Sequence, residues 1–308
     1  MARNILVTGG TGFIGRELCA HLLARGDRVA VFSRQDSDTV RALCGKVEPV
    51  AELASLRGHA GFDAVINLAG EGIAERRWSE ARKRRLRDSR IGLTTTLVDT
   101  ITTWQRLPQV LVSGSAVGYY GDQGENTVTE NTAPRDEFTH RLCRDWEQAA
   151  LALAPRGVRV CLSRTGLVVG SGGGFLARML PPFRLGLGGR LGSGRQYMPW
   201  VHRWDVVAAL IWMVDQSPAS GPYNVVAPTP VTNRSFTRTL GRVLHRPALF
   251  PVPTPVLKLG FGEMARLLLT GQRAVPERLL AEGFQFRFTE LAVALEEALH
   301  SIRTGHRA

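Results

Sequence analysis

Short runs of consecutive apolar residues recur along the first half of the chain, each followed by a stretch with helical spacing. Ile5, Leu6 and Val7 form the first run. RVAVFS (Arg28–Ser33), DAVINL (Asp63–Leu68), VLVS (Val110–Ser113) and VRVCL (Val158–Leu162) follow it. Runs that lack polar alternation predict strands buried on both faces. Between them, one helical pattern begins at Phe13 and Ile14, another ends near Ile101, and a third surrounds Trp146. This alternation predicts an α/β fold, a doubly wound parallel sheet of the Rossmann type with right-handed crossovers. Ligands of such sheets bind beyond the carboxyl ends of the strands. Those ends are Thr8, Ser33, Leu68–Gly70 and Ser113–Ser115.

The turn after the first strand carries specific chemistry. Gly10, Gly12 and Gly15 in ILVTGGTGFIG fit the G-x-G-x-x-G spacing of a dinucleotide fingerprint. The first glycine makes the strand-to-helix turn, the second lets the backbone approach a pyrophosphate, and the third permits close helix–strand contact. The diphosphate is expected on free N–H groups at the positive end of the helix. Gly9, Gly10, Thr11, Gly12, Phe13, Ile14 and Gly15 are therefore candidate cofactor contacts.

The texture changes after Leu167. Gly170–Gly174, Pro181–Pro182 and Gly186–Gly194 read as loops over a cleft, to which Arg195 also belongs. Val206–Val214 returns to a helical pattern, and the chain from Pro247 to Pro255 is punctuated by prolines. The expected organisation is a cofactor domain over 1–165 and 205–228, with a smaller C-terminal substrate-capping module over 166–204 and 229–303.

Composition narrows the setting. The 308 residues are 44% hydrophobic and 21% charged, ordinary for a globular protein. No apolar run approaches the ~20 residues of a membrane span, and the chain enters its first strand almost at once, so a cytoplasmic protein is expected. Cys19, Cys44, Cys143 and Cys161 form no C-x-x-C pair, which predicts reduced thiols and no metal site. The formal net charge is +12. Half of it is local, because Arg76–Arg90 alone carries a net of +6. That stretch reads as a helix with one strongly charged face, either simply solvated or with some of its arginines contacting an anion or cofactor. Nucleic acid is not expected as a partner, since no recognised nucleic-acid module accompanies the charge.

With TGGTGFIG (Thr8–Gly15), NLAG (Asn67–Gly70) and SGSAVGYYG (Ser113–Gly121) in order, the chain resembles the extended short-chain dehydrogenases/reductases, the nucleotide-sugar epimerase group. WVHRWDV (Trp200–Val206) resembles the motif where that group re-enters its cofactor domain. Nearly the whole chain is similar to an atypical branch of NAD-dependent epimerase/dehydratase-like proteins of unassigned substrate. That branch carries Ser33-Arg34, RRW (Arg76–Trp78), Leu142-Cys143 with Trp146-Glu147, FRLGLGG (Phe183–Gly189) and a C-terminal module of unknown function, matched by Thr270–Phe286. Some of its members are labelled cell-division inhibitors.

The resemblance implies hydride-transfer chemistry, and one element of it is missing. Extended members use a Tyr-x-x-x-Lys pair, in which lysine lowers the tyrosine pKa and holds the ribose. Aligned through Trp146-Glu147, the two places fall near Thr139 and Cys143, on a helix (Asp136–Gln148) with neither tyrosine nor lysine. Ser115 stands where the family's substrate-orienting hydroxyl sits, and Tyr119 and Tyr120 are the tyrosines near it. Ser115 and Tyr120 are thus the candidate catalytic residues, against the plainer roles of turn and packing. His202 and Asp205 are expected to tie the two parts of the chain together rather than to act as an acid/base pair.

Ser33 and Arg34 occupy the place where an acidic residue would bind the ribose of NAD; a guanidinium there suits the 2′-phosphate of NADP. Leu68, Ala69 and Gly70 are expected to pass the cofactor through their backbone, Arg90 to contact the nucleotide, and Val168 to complete the set. The expected cofactor is NADP(H), and the expected function is epimerase- or reductase-like, with slow hydride transfer on a small carbonyl, alcohol or sugar-nucleotide ligand. The alternative is a non-catalytic NADP(H)-dependent sensor acting through a protein partner. The small-molecule ligand is unassigned, and a homodimer or a protein partner is left open.

Overall fold

The computed structural model describes residues 2–303. Seven parallel strands form one sheet: β1 (Asn4–Thr8), β2 (Arg28–Phe32), β3 (Glu48–Val50), β4 (Ala64–Asn67), β5 (Val110–Ala116), β6 (Arg159–Thr165) and β7 (Gly221–Val225). Their order is β7-β6-β5-β4-β1-β2-β3, which reverses between β1 and β4 and so places a crevice there. Register aligns the carboxyl ends. Thr8 pairs with Phe32 on one side and Asn67 on the other, and Asn67 pairs with Ser113.

Alternate residues of each strand feed two cores. Ile5 and Val7 face one core with Leu18 and Leu22 of α1 (Phe13–Ala24) and Val207 and Leu210 from a later helix, Arg203–Asp215. Leu6 faces the opposite core with Leu97 and Ile101 of Leu93–Ile101 and Ala150 of Phe138–Leu151. Each fully buried aliphatic side chain of this kind contributes roughly 1.5–3 kcal/mol. Numbering the helices in chain order, α2 is Ser37–Cys44, α3 Glu80–Arg87, α4 Leu93–Ile101 and α5 Phe138–Leu151.

A third core joins the later segments. Leu176, Leu180 and Phe183 of α6 (Gly174–Arg184) pack with Trp200, Phe236 and the final helix, Leu291–Arg303. The expectation of loops there is corrected: the i, i+4, i+7 spacing of these three residues supports a helix despite Pro181 and Pro182 within its last turn. α7 is Arg203–Asp215 and α8 is Asn233–Val243. Short strand pairs stitch the layers. Leu167–Val169 runs parallel to Trp200–His202, and Thr127–Val128 runs parallel to Arg273–Ala274. Among the described residues, no helix is long and apolar enough to cross a membrane, and no group of three His, Cys, Asp or Glu side chains could hold a metal ion. All four cysteines are free and buried.

Candidate functional site

The glycine turn divides its labour differently from the spacing. Gly9, not Gly10, takes the left-handed conformation, with φ +71°, and a Cβ there would strike the backbone of Leu68. Gly10 is needed for another reason: its Cβ would lie 2.7 Å from the Val31 side chain of β2. Gly15 brings α1 against the turn, since a Cβ would lie 2.2 Å from the Gly9 carbonyl oxygen. Gly12 is the helix N-cap, and its Cβ direction meets only the Gly9 oxygen, at 3.1 Å. No side chain caps α1, so the N–H groups of its first turn, including those of Phe13 and Ile14, face outward without intrahelical partners.

The other candidate contacts gather around this turn. Ser33 accepts a hydrogen bond from the Gln35 N–H at 3.1 Å, and Arg34 beside it is exposed, with no side-chain partner among the described residues. Ile14, Leu68 and Val168 pack on the same core cluster. Arg90 lies alongside Gly70, where a Cβ would come 3.2 Å from its guanidinium carbon. Its Nη2 donates to the Glu71 carbonyl at 2.8 Å, and the guanidinium sits 5.3 Å from the Trp146 ring centroid. Arg90 therefore pins the segment after β4 as well as bordering the crevice.

A buried polar network beneath the strand ends was not foreseen. Thr8 Oγ1 donates to Asn67 Oδ1 at 2.6 Å, and Asn67 Nδ2 donates to Thr94 Oγ1 at 2.9 Å and Ser113 Oγ at 3.2 Å. Trp146 Nε1 donates to Thr94 Oγ1 at 3.0 Å. These bonds fix β1, β4 and β5 against α4 and α5 where the chain turns toward the crevice. Because the atoms are buried, leaving one unpaired costs about 1–3 kcal/mol.

Ser115 does not end its strand. β5 continues through Ala116, and Ser115 lies 6% exposed with its Oγ donating to Glu147 Oε1 at 2.6 Å. Glu147 in turn receives Arg164 Nε and Nη2, each at 2.8 Å. Tyr120 departs further from the expectation. It is fully buried, donates to Asn224 Oδ1 at 2.7 Å and accepts from Arg164 Nη1 at 3.0 Å. Burial pushes its phenol up to about 12, away from the range of a working acid or base. The Arg164 guanidinium also stacks 3.5 Å from the Tyr119 ring centroid. On α5, Thr139 and Cys143 are buried beside Gly118, and burial raises the Cys143 thiol to about 12.

The glycine loop at Gly170–Gly174 packs over Phe13 of the fingerprint. Cβ atoms at Gly170, Gly173 and Gly174 would come within 3.1 Å of the Phe13 ring. Arg203 locks the contact from the other side, with its guanidinium 4.9 Å from the Phe13 centroid, an ion pair to Glu17 at 3.0 Å and a bond to the Ser171 carbonyl at 2.9 Å. His202 pairs with Glu297 at 2.8 Å, and Asp205 accepts the N–H groups of Arg287 and Phe288. Both residues thus tie α7 to the end of the chain. The basic stretch is partly engaged as well: Arg82 is buried and pairs with Glu71, and Lys83 pairs with Glu263 at 2.7 Å.

A sequence profile of the NAD dependent epimerase/dehydratase family matches residues 5–226. The chain belongs to this family. A second profile, a domain of unknown function (DUF1731), matches residues 252–298. This family member is 41% identical over 297 residues to the epimerase family protein Mb2239 of Mycobacterium bovis, covering 94% of this chain and 96% of the relative. It is 39% identical over 298 residues to the human epimerase family protein SDR39U1, covering 96% and 99%. The crystal structure of human SDR39U1 (isoform 2) with NADPH matches at a TM-score of 0.87 and 36% identity, covering 96% of this chain and 99% of that one. MoeE5 in complex with UDP-glucose and NAD, at 22% identity and a TM-score of 0.79, shares the fold.

Proposed function

We propose that the chain binds NADP(H) at the carboxyl edge of its sheet, with the diphosphate on the Gly9–Gly15 turn and the 2′-phosphate beside Arg34. The observation that carries this reading is the end of β2. An exposed guanidinium with no partner among the described residues stands there in place of a carboxylate. It offers paired donors and permanent charge to a phosphate, whereas a carboxylate would accept from ribose hydroxyls. The NADPH complex of human SDR39U1 supports the same choice. Thr11, Phe13, Ile14, Ser33, Leu68, Ala69, Gly70, Arg90 and Val168 complete the proposed contact set, and residues 166–204 and 229–303 the proposed capping module.

Family membership suggests hydride exchange with a small carbonyl, alcohol or sugar-nucleotide ligand. This chain's own residues would support it slowly, because α5 has no tyrosine or lysine and the Ser115 hydroxyl donates its hydrogen bond to Glu147. That observation favours a second reading, a non-catalytic sensor whose association with a protein partner follows NADP(H) occupancy.

Titration of NADPH and NADH against the wild type and Arg34→Ala tests the cofactor assignment. A charge-assisted hydrogen bond contributes roughly 1.5–3 kcal/mol, so the wild type should prefer NADPH by roughly tenfold to a hundredfold. Arg34→Ala should lose that preference. Equal affinities in the wild type would remove the assignment.

A further inference from the structure

A second concave site opens beside α8, and none of its lining residues belongs to the strand-end site. Its volume is about 450 Å³. Arg234, Arg238 and Arg242 recur every four residues, so α8 presents them on one face. Arg190 and Arg246 join them from flanking segments, placing five guanidinium groups around one cavity with no carboxylate in the lining. Like charges at this spacing destabilise a helix. The arrangement therefore carries unrelieved repulsion that a bound anion would remove.

Two details point inward to a ligand. The side chains of Arg238 and Arg242 make no hydrogen bond or ion pair among the described residues, whereas Arg190 donates to the Gly192 carbonyl at 2.6 Å and Arg234 to the Ser193 carbonyl at 3.3 Å. Thr237, on the same helix, lines the cavity at 3% exposure, and its Oγ1 is buried without a hydrogen-bond partner. A buried hydroxyl left unpaired is unfavourable, and a phosphate oxygen in the cavity would satisfy it. The lining has no aromatic ring on which a base could stack, which weighs against a single-stranded nucleic acid.

We propose that this cavity binds a small anion carrying two or more phosphate groups, gripped by Arg190, Arg234, Arg238, Arg242 and Arg246, with Thr237 as a hydroxyl partner. Guanidinium groups suit such a ligand because each presents paired N–H donors to phosphate oxygens. The site is independent of the dinucleotide reading and stands or falls without it.

Isothermal titration of the full chain at fixed ionic strength tests this with tripolyphosphate, orthophosphate and a single-stranded oligonucleotide as probes. Tripolyphosphate should bind about tenfold or more tightly than orthophosphate, and Arg238→Ala/Arg242→Ala should weaken it about tenfold or more. Arg84→Ala/Arg85→Ala removes the same charge from the exposed face of α3 and should leave tripolyphosphate affinity unchanged, with both double variants melting as the wild type does. Equal weakening by the two double variants would reduce the effect to net charge and overturn the site. So would a wild type that does not prefer tripolyphosphate, or one that binds the oligonucleotide and not tripolyphosphate.

Discussion

Glu147 and Arg164 form a buried bidentate pair, with two N–O distances of 2.8 Å and both side chains under a tenth exposed. The pair joins α5 to β6 directly beneath Ser115. Removing one partner strands the other charge away from water. Glu147→Gln should therefore destabilise the fold by about 3–5 kcal/mol, measured by urea denaturation. A loss below about 1 kcal/mol, the scale of an exposed ion pair, would show that the pair is not as enclosed as its burial implies.

Two glycines of one turn should respond in opposite ways. Gly12→Val should abolish NADP(H) binding and leave the sheet folded, because the added side chain projects over the turn and meets only one atom. Gly15→Val should fail as a fold, because its Cβ would overlap the Gly9 carbonyl at 2.2 Å. Circular dichroism and a binding titration separate the two. Normal NADPH binding by Gly12→Val would misplace the diphosphate.

Turnover should be slow or absent on standard sugar-nucleotide substrates despite good NADP(H) binding. Free tyrosine titrates near pKa 10, and burial carries Tyr120 further up, to about 12. Stopped-flow assays across sugar nucleotides and simple carbonyls should show no rapid NADPH oxidation. Rapid turnover that survives both Ser115→Ala and Tyr120→Phe would sink the slow-enzyme reading together with these two residues.

Asp63 should contribute to acid sensitivity. The Asn4 N–H, donating at 2.8 Å, and then Arg106 hold its carboxyl below the usual range. A depressed folded-state pKa adds stability that is present above the unfolded pKa of about 3.9. It is lost as pH falls through the folded value. Asp63→Asn should thus show a smaller fall in Tm between about pH 5 and pH 3 than the wild type. Parallel curves would assign the acid sensitivity elsewhere.

The sheet was largely readable because its central strands are buried on both faces, so five of them appear as plain apolar runs. The other two escaped for opposite reasons. β3 is a three-residue edge strand containing Pro49, and β7 reads GPYNV, with turn-forming residues in a paired position. The turn, Arg34 and the small residues after β4 were visible because each rests on a local need of shape or charge. The network of Thr8, Asn67, Thr94, Ser113 and Trp146 was not, since register brings its members together from distant segments. One signal for the buried ion pair lay in view: Arg164 stands one residue beyond the apolar run VRVCL, and a charge there demands a partner.

The clasp of Gly170–Gly174 around Phe13 gives the chain a temporal order. The fingerprint turn leaves the ribosome well ahead of its cover, which is encoded about 160 residues later. At roughly 5–20 residues per second the interval is on the order of ten seconds. Through that time Phe13 and the outward N–H groups of α1 stay uncovered in the nascent chain. β7, the last strand of the sheet, follows only at Gly221–Val225. Chains arrested before residue 170 should expose Phe13 to chaperones, and chains released beyond residue 225 should not.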